Sequence, residues 1–127
     1  ATLGALIGGT TERDDPNVVK AAVEWAGGER PRKAGDHGRA LYFSRTPLPW
    51  GAGEHIHHIG LYAYRRAALD AFVAAPPSAL ERRERLEQLR ALSLGLRIDL
   101  ALVDDIPLGV DTQADLEEAR RRLSARA

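Results

Sequence analysis

The stretch His55-Ile56-His57-His58-Ile59-Gly60-Leu61-Tyr62-Ala63-Tyr64 constrains the fold of this chain more than any other. It holds no turn former except Gly60, is rich in β-branched and aromatic residues, and runs directly into a helical pattern, so it reads as a buried strand. Alternation along a strand puts Ile56, His58, Gly60, Tyr62 and Tyr64 on one face and His57, Ile59, Leu61 and Ala63 on the other. The second face is mainly apolar, while the first aligns an imidazole, a glycine and two phenols. Each buried ring nitrogen or hydroxyl there needs a hydrogen-bond partner. Two readings meet that demand: a polar core strand with partners on neighbouring elements, or a ligand site.

A chain of 127 residues sustains one core, so residues 1–127 are expected to be one domain or part of one. Eighteen basic and eighteen acidic residues balance to zero formal charge, which favours neither nucleic acid nor an acidic membrane surface as a partner. With no cysteine, disulfides and thiol catalysis are excluded, and no basic segment leads into a long apolar one. A soluble, cytoplasmic protein is expected. Residues Ala1 to Ile7 carry no initiator methionine and start within apolar sequence, so a further segment is expected upstream.

Gly8 to Asp15 reads as a polar connection, and Asp14-Asp15-Pro16-Asn17 as a turn leading into a strand. Gly27 to Gly38 is dominated by Gly, Pro and charge, so the flanking runs form a hairpin whose long loop projects from the core. Arg45-Thr46-Pro47-Leu48-Pro49-Trp50-Gly51 follows as a stiff extended arm, because each proline fixes its own φ and keeps the preceding residue out of helix. Past the organising strand, Pro76-Pro77 stops a short helix, and Ser78 with Glu81 forms a capping box for a helix bearing Leu80, Leu86, Leu89 and Leu92. The pattern predicts strands near 18–25, 40–44, 56–64 and 97–103, and helices near 66–75, 79–94 and 113–124. Thr112 is the expected cap of the last helix. Strands and helices alternate from Ile56 onward, the mark of an α/β fold.

Five blocks stand in a telling order: Asp15-Pro16-Asn17-Val18-Val19-Lys20; Ala40-Leu41-Tyr42-Phe43-Ser44-Arg45 with Pro47 and Pro49; His58-Ile59-Gly60-Leu61-Tyr62-Ala63-Tyr64; Leu86-Glu87-Gln88-Leu89-Arg90; and Gly109-Val110-Asp111-Thr112. Together they resemble the motifs of the 3-deoxy-manno-octulosonate cytidylyltransferases, or CMP-Kdo synthetases. The resemblance covers nearly all of this chain but only the carboxyl-terminal half or so of the family pattern. It implies a three-layer α/β fold like that of nucleotide-diphospho-sugar transferases, with a mixed sheet and a projecting hairpin. The implied activity is transfer of a cytidylyl group from CTP to the acid sugar Kdo, giving CMP-Kdo and pyrophosphate for lipopolysaccharide synthesis. A homodimer with Mg²⁺ as cofactor is also implied. The family's glycine- and arginine-containing triphosphate loop and its first metal-binding aspartate have no counterpart here. The resemblance therefore implies the sugar-binding and dimerisation half, which is expected to be inactive by itself.

Motif by motif, the resemblance assigns sugar contacts to His58 and Tyr62 and to Glu87 and Gln88, whose carboxylate and amide suit vicinal hydroxyls. It makes Asp111 a magnesium ligand and hence catalytic, in a loop leaving a strand end, where open α/β sheets place ligands. Arg45 and Ser44 are placed near the sugar carboxylate or the subunit contact. For Glu87 and Gln88 the plain alternative is a solvated helix turn, and for Asp111 a helix N-terminal charge. The segment Trp50 to His55 is shorter than the family's charged loop there, and Trp50 is a candidate interface anchor. Leu41, Phe43, Leu48 and Trp50 are expected to be exposed and to favour dimerisation. Two rivals are a metal-binding module built on Glu54, His55, His57 and His58, with His37 apart in a loop, and a non-catalytic binding or dimerisation protein derived from the same family.

Overall fold

The apolar opening of the chain is a strand, β1 (Thr2–Leu6), held between two others by backbone pairing 50 to 100 residues away in sequence, a contact no local period reveals. The computed structural model describes residues 1–28, 30–104 and 113–124. After β1 come α1 (Thr10–Asp14), β2 (Lys20–Trp25), β3 (His37–Ser44), β4 (Ile56–Tyr62), α2 (Arg66–Ala74), α3 (Ala79–Glu84), α4 (Gln88–Ser93), β5 (Ile98–Leu102) and α5 (Gln113–Ser124). The last helix has the bounds its charge pattern predicts. The expected cap Thr112 lies outside the described residues, as does Asp111.

Class and sheet type are as expected: an α/β fold with a mixed sheet. The strands run in the order β1-β4-β2-β3-β5, and β1 meets β5 to close the ring. Among the described strands only β1 and β5 are parallel; the other pairs are antiparallel. The hairpin β2–β3 exists, but it does not stand away from the core. Residues His37 to Ala40 of β3 pair with β5, and Lys20 of β2 pairs with His57 of β4, so both hairpin strands belong to the ring. At Gly4 a β-carbon would come within 2.8 Å of the Ile56 side chain and 3.1 Å of the His57 carbonyl, so the packing of β1 between its neighbours requires glycine.

Phe43, expected on an exposed surface, is fully buried. The register explains it: Ala22 faces Tyr42 and Val23 faces Ala40, which leaves Leu41 as a bulge. One extra residue reverses the alternation, so that Ala40 and Phe43 both face the core and Leu41 is turned out, 53% exposed. Phe43 joins Ala21, Ile56, Ile98 and Leu100 under a cover made by Leu86, Leu89 and Ala91.

The helix expected over 79–94 is two helices. Ser78 and Glu81 form the capping box, Ser78 Oγ accepting from Glu81 N at 3.2 Å and Ser78 N donating to the Glu81 carboxylate at 2.9 Å. The chain then turns through Arg85, which has left-handed φ and ψ of 57° and 47°. That break lets both Leu86 and Leu89 reach the core, while Leu80, expected on the same stripe, stays 44% exposed. Arg90 welds the pieces together. Its guanidinium forms a two-pronged ion pair with Glu81, donates to the Ala75 carbonyl, and lies 4.7 Å from the centre of the Phe72 ring. No helix of the described residues is long and apolar enough to cross a membrane.

Candidate functional site

β4 bears the polar face that its alternation predicts, ending at Tyr62. His58 is buried edge-on to Phe43, with ring centres 4.7 Å apart, and Tyr62 lies 5.5 Å from His58. Tyr64 continues the line at 5.8 Å from Tyr62 and meets Phe72 of α2 at 6.0 Å. His58 Nε2 is 3.0 Å from the hydroxyl of Thr2 on β1, a residue that nothing in the sequence marks as functional. The Tyr62 hydroxyl is buried without a hydrogen-bond partner. A buried polar atom with no partner costs free energy unless a ligand or water completes it.

The electrostatics follow from burial. His58 is pushed down to about 4, mainly by desolvation and secondarily by His57, so its imidazole is neutral at physiological pH. The Tyr62 phenol is pushed well up by burial first, then by Tyr64 and the Glu87 carboxylate. The nearby Thr2 hydroxyl opposes this weakly, without forming a geometric hydrogen bond to it. Tyr62 therefore remains a hydroxyl donor beside a neutral imidazole, a pair suited to a ligand rich in hydroxyls.

Glu87, in the turn between α3 and α4, is exposed and within electrostatic reach of Tyr62. Gln88 opens α4 and is only 6% exposed, and its side chain has no hydrogen bond among the described residues. A cavity of about 560 Å³ at the end of β4 is lined by Tyr62, Tyr64, Arg65, Ala68, Arg97 and Asp99 among others. His58, Glu87 and Gln88 do not line it. The structure thus joins His58 to Tyr62 and brings Glu87 within electrostatic reach of Tyr62; Gln88 follows Glu87 in the chain.

Arg45, expected near the sugar carboxylate or the subunit contact, binds the turn that precedes Glu87. Its Nε donates to the Glu84 carbonyl at 3.0 Å, Nη1 to Pro16 O at 3.0 Å and Nη2 to Arg85 O at 3.4 Å, so it clamps the turn immediately before Glu87. Glu84 itself accepts from the Ser44 hydroxyl at 2.9 Å and from Arg45 N at 3.2 Å. Beside it, the fully buried Lys20 donates to the carbonyls of Asp15, Val18 and Arg45 at 2.6–2.7 Å. Lys20, Glu84 and Thr2 were not singled out by sequence reasoning. Lysine in the alternating run after Asn17 was the one available signal, since a lysine flanked by apolar residues needs partners for its ammonium.

The histidine-rich metal module does not assemble. His57 Nδ1 pairs with Glu12 of α1 at 2.7 Å, His58 turns inward to Thr2, and the Glu54 carboxylate accepts from Arg32 N at 3.3 Å. Among the described residues no group of three or more His, Asp or Glu is placed to hold a metal ion.

A family model described as cytidylyltransferase matches residues 2–98. The 3-deoxy-manno-octulosonate cytidylyltransferase of Rhodospirillum centenum is 63% identical over 126 residues, covering 99% of this chain and 47% of the relative. The protein of the same name from Paramagnetospirillum magneticum is 59% identical over 125 residues, with 98% and 48% covered. A solved structure of CMP:2-keto-3-deoxy-manno-octonic acid synthetase complexed with CTP is similar with a TM-score of 0.83 at 35% identity, over 99% of this chain and 49% of that one. The chain spans about half the length of the curated relatives it matches, at 47% and 48% of each. Because the family match runs from β1 through the paired helices to the first residue of β5 and includes the His58–Tyr62 face, the chain belongs to the cytidylyltransferase family.

Proposed function

We propose that this chain is the sugar-binding and dimerisation part, the carboxyl-terminal half, of a cytoplasmic 3-deoxy-manno-octulosonate cytidylyltransferase with a nucleotide-diphospho-sugar transferase-like fold. The observation that carries the reading is the unpartnered, buried Tyr62 hydroxyl beside neutral His58, with Glu87 within electrostatic reach, in a chain 63% identical to an enzyme of that name. In the reaction a Kdo hydroxyl oxygen attacks the α-phosphorus of CTP, the bond to the β-phosphate bridging oxygen breaks, pyrophosphate leaves, and the hydroxyl proton is lost. His58, Tyr62, Glu87 and Gln88 hold the sugar: the Tyr62 hydroxyl and the Gln88 amide donate, and the imidazole and carboxylate accept. Arg45 acts through them by fixing the α3–α4 turn.

Magnesium, which neutralises phosphate charge in such transfers, is held in this reading by Asp111 together with the substrate phosphates. Asp111 lies outside the described residues, and among the described ones no group of three or more His, Asp or Glu is placed to hold a metal ion. The proposed homodimer draws on the outward apolar side chains of the arm and hairpin, Trp50 at 100% and Leu41 at 53% exposure.

The test is steady-state kinetics of pyrophosphate release in the complete enzyme. His58→Ala is expected to raise KM for Kdo much more than KM for CTP, and equal effects on both would remove His58 from the sugar site. The 127 residues alone are expected to give no turnover with CTP, Kdo and magnesium, since they span only half of such enzymes.

A further inference from the structure

The environment of Thr2 determines which nitrogen of His58 carries the proton. β1 and β4 slip out of register at this point: Leu3 faces Ile59 and Thr2 faces Tyr62, so Gly60 and Leu61 bulge out unopposed. Two extra residues preserve the alternation, which keeps His58 and Tyr62 on one face. The bulge also brings two backbone carbonyls to the Thr2 hydroxyl, Leu61 O at 2.9 Å and Ile59 O at 3.1 Å.

A threonine hydroxyl has one proton and two acceptor lone pairs. Carbonyl oxygens only accept, and two of them this close to a hydroxyl oxygen would repel it unless its proton lay between. The proton therefore goes to a carbonyl. The nearby Tyr62 hydroxyl forms no hydrogen bond with Thr2, so His58 Nε2 at 3.0 Å has to be the donor, and Thr2 the acceptor. A neutral imidazole has a single N–H, so Nδ1 is left with its lone pair, and among the described residues the ring's hydrogen bond to Thr2 is through Nε2 alone. Thr2 is 2% exposed, which keeps water from competing for the contact.

We propose that Thr2 is a positioning residue: it locks His58 as the Nε2–H tautomer and thereby presents Nδ1 as the acceptor for a ligand hydroxyl. This rests on the sugar reading above for the nature of that hydroxyl. Burial that holds His58 neutral, with a pKa of about 4, supports the assignment, because a protonated ring would have no acceptor to offer.

The experiment is long-range ¹H–¹⁵N NMR of the histidine rings in the full protein, read with kinetics on Thr2→Val and Thr2→Ser. His58 in the parent is expected to show Nε2 protonated and Nδ1 unprotonated; protonated Nδ1 overturns the proposal without any variant having to fold. Thr2→Val is expected to give mixed tautomers and to raise KM for Kdo about tenfold, the loss of one hydrogen bond, with KM for CTP little changed. Thr2→Ser, which restores the hydroxyl, should return both readouts toward the parent. A Thr2→Val protein with the parent tautomer, or with unaltered KM for Kdo, overturns the positioning role. The expected tautomer in a protein that does not use Kdo supports the Thr2 assignment and overturns the sugar reading instead.

Discussion

Two polar clusters flank the Phe43–Ser44 end of β3, and they are satisfied in opposite ways. In the Lys20–Arg45–Glu84 knot every charged group is matched: three carbonyls around the ammonium, three around the guanidinium, and two hydroxyls and a backbone N–H on the carboxylate. Along the His58–Tyr62 seam one ring nitrogen has a single partner and one buried phenol has none. Both clusters pack beside the same aromatic ring, since Phe43 precedes Ser44 and touches His58. The difference separates scaffold from site. Saturated groups hold the fold, while in the proposed reading the incomplete seam is where a ligand finishes the hydrogen bonding.

Three experiments can break or sharpen that contrast. The largest effect belongs to the knot: Lys20→Ala strips three carbonyls of their donor and leaves a cavity, and is expected to destabilise the fold by on the order of 4 kcal/mol in chemical denaturation. A loss below about 1 kcal/mol would show that the knot is not a scaffold.

The second effect lies in the seam and depends on pH. Folded His58 takes up its proton near pH 4, whereas the unfolded chain does so near 6.5. Between those values the unfolded state binds more protons, so the contribution is fully present above about pH 6.5 and is lost as pH falls toward 4. The full span is worth on the order of 3 kcal/mol, and urea midpoints near pH 4 and near pH 7 measure it. His58→Gln is expected to flatten the dependence. An unchanged slope in that variant would assign it to other groups.

The smallest effect has the opposite sign from ordinary core mutations. Tyr62→Phe removes a buried hydroxyl that has no partner, so stability is expected to hold or to rise by about 1 kcal/mol while KM for Kdo increases. A clear destabilisation would mean that the hydroxyl is already satisfied in the free protein and that the seam is no less complete than the knot.

Much of the fold was legible because its signals are local. The Ser78–Glu81 box, the stop at Pro76-Pro77 and the bounds of α5 follow from residues a few positions apart. The pairing of His58 with Tyr62 followed from strand alternation and survives a two-residue bulge because two is an even number. The one-residue bulge at Leu41 is odd, and it made Phe43 unreadable from the sequence. The break at Arg85 was equally hidden. A left-handed arginine has no sequence signature, and its stability comes from surroundings that include Arg45, forty residues earlier in the chain.

The amino-acid sequence alone therefore determined the strand of β4 with its polar face, the capped start of α3, the bounds of α5 and the α/β class, because side-chain alternation and helix capping are properties of a short backbone segment. Only the tertiary structure decided that β1 and β5 close the sheet into a ring, that Arg45 and Lys20 bind backbone carbonyls of distant turns, and that Thr2 meets His58. Those outcomes depend on which distant backbone carbonyls come within hydrogen-bond reach of a side chain, and that is set by strand register and packing rather than by any local pattern.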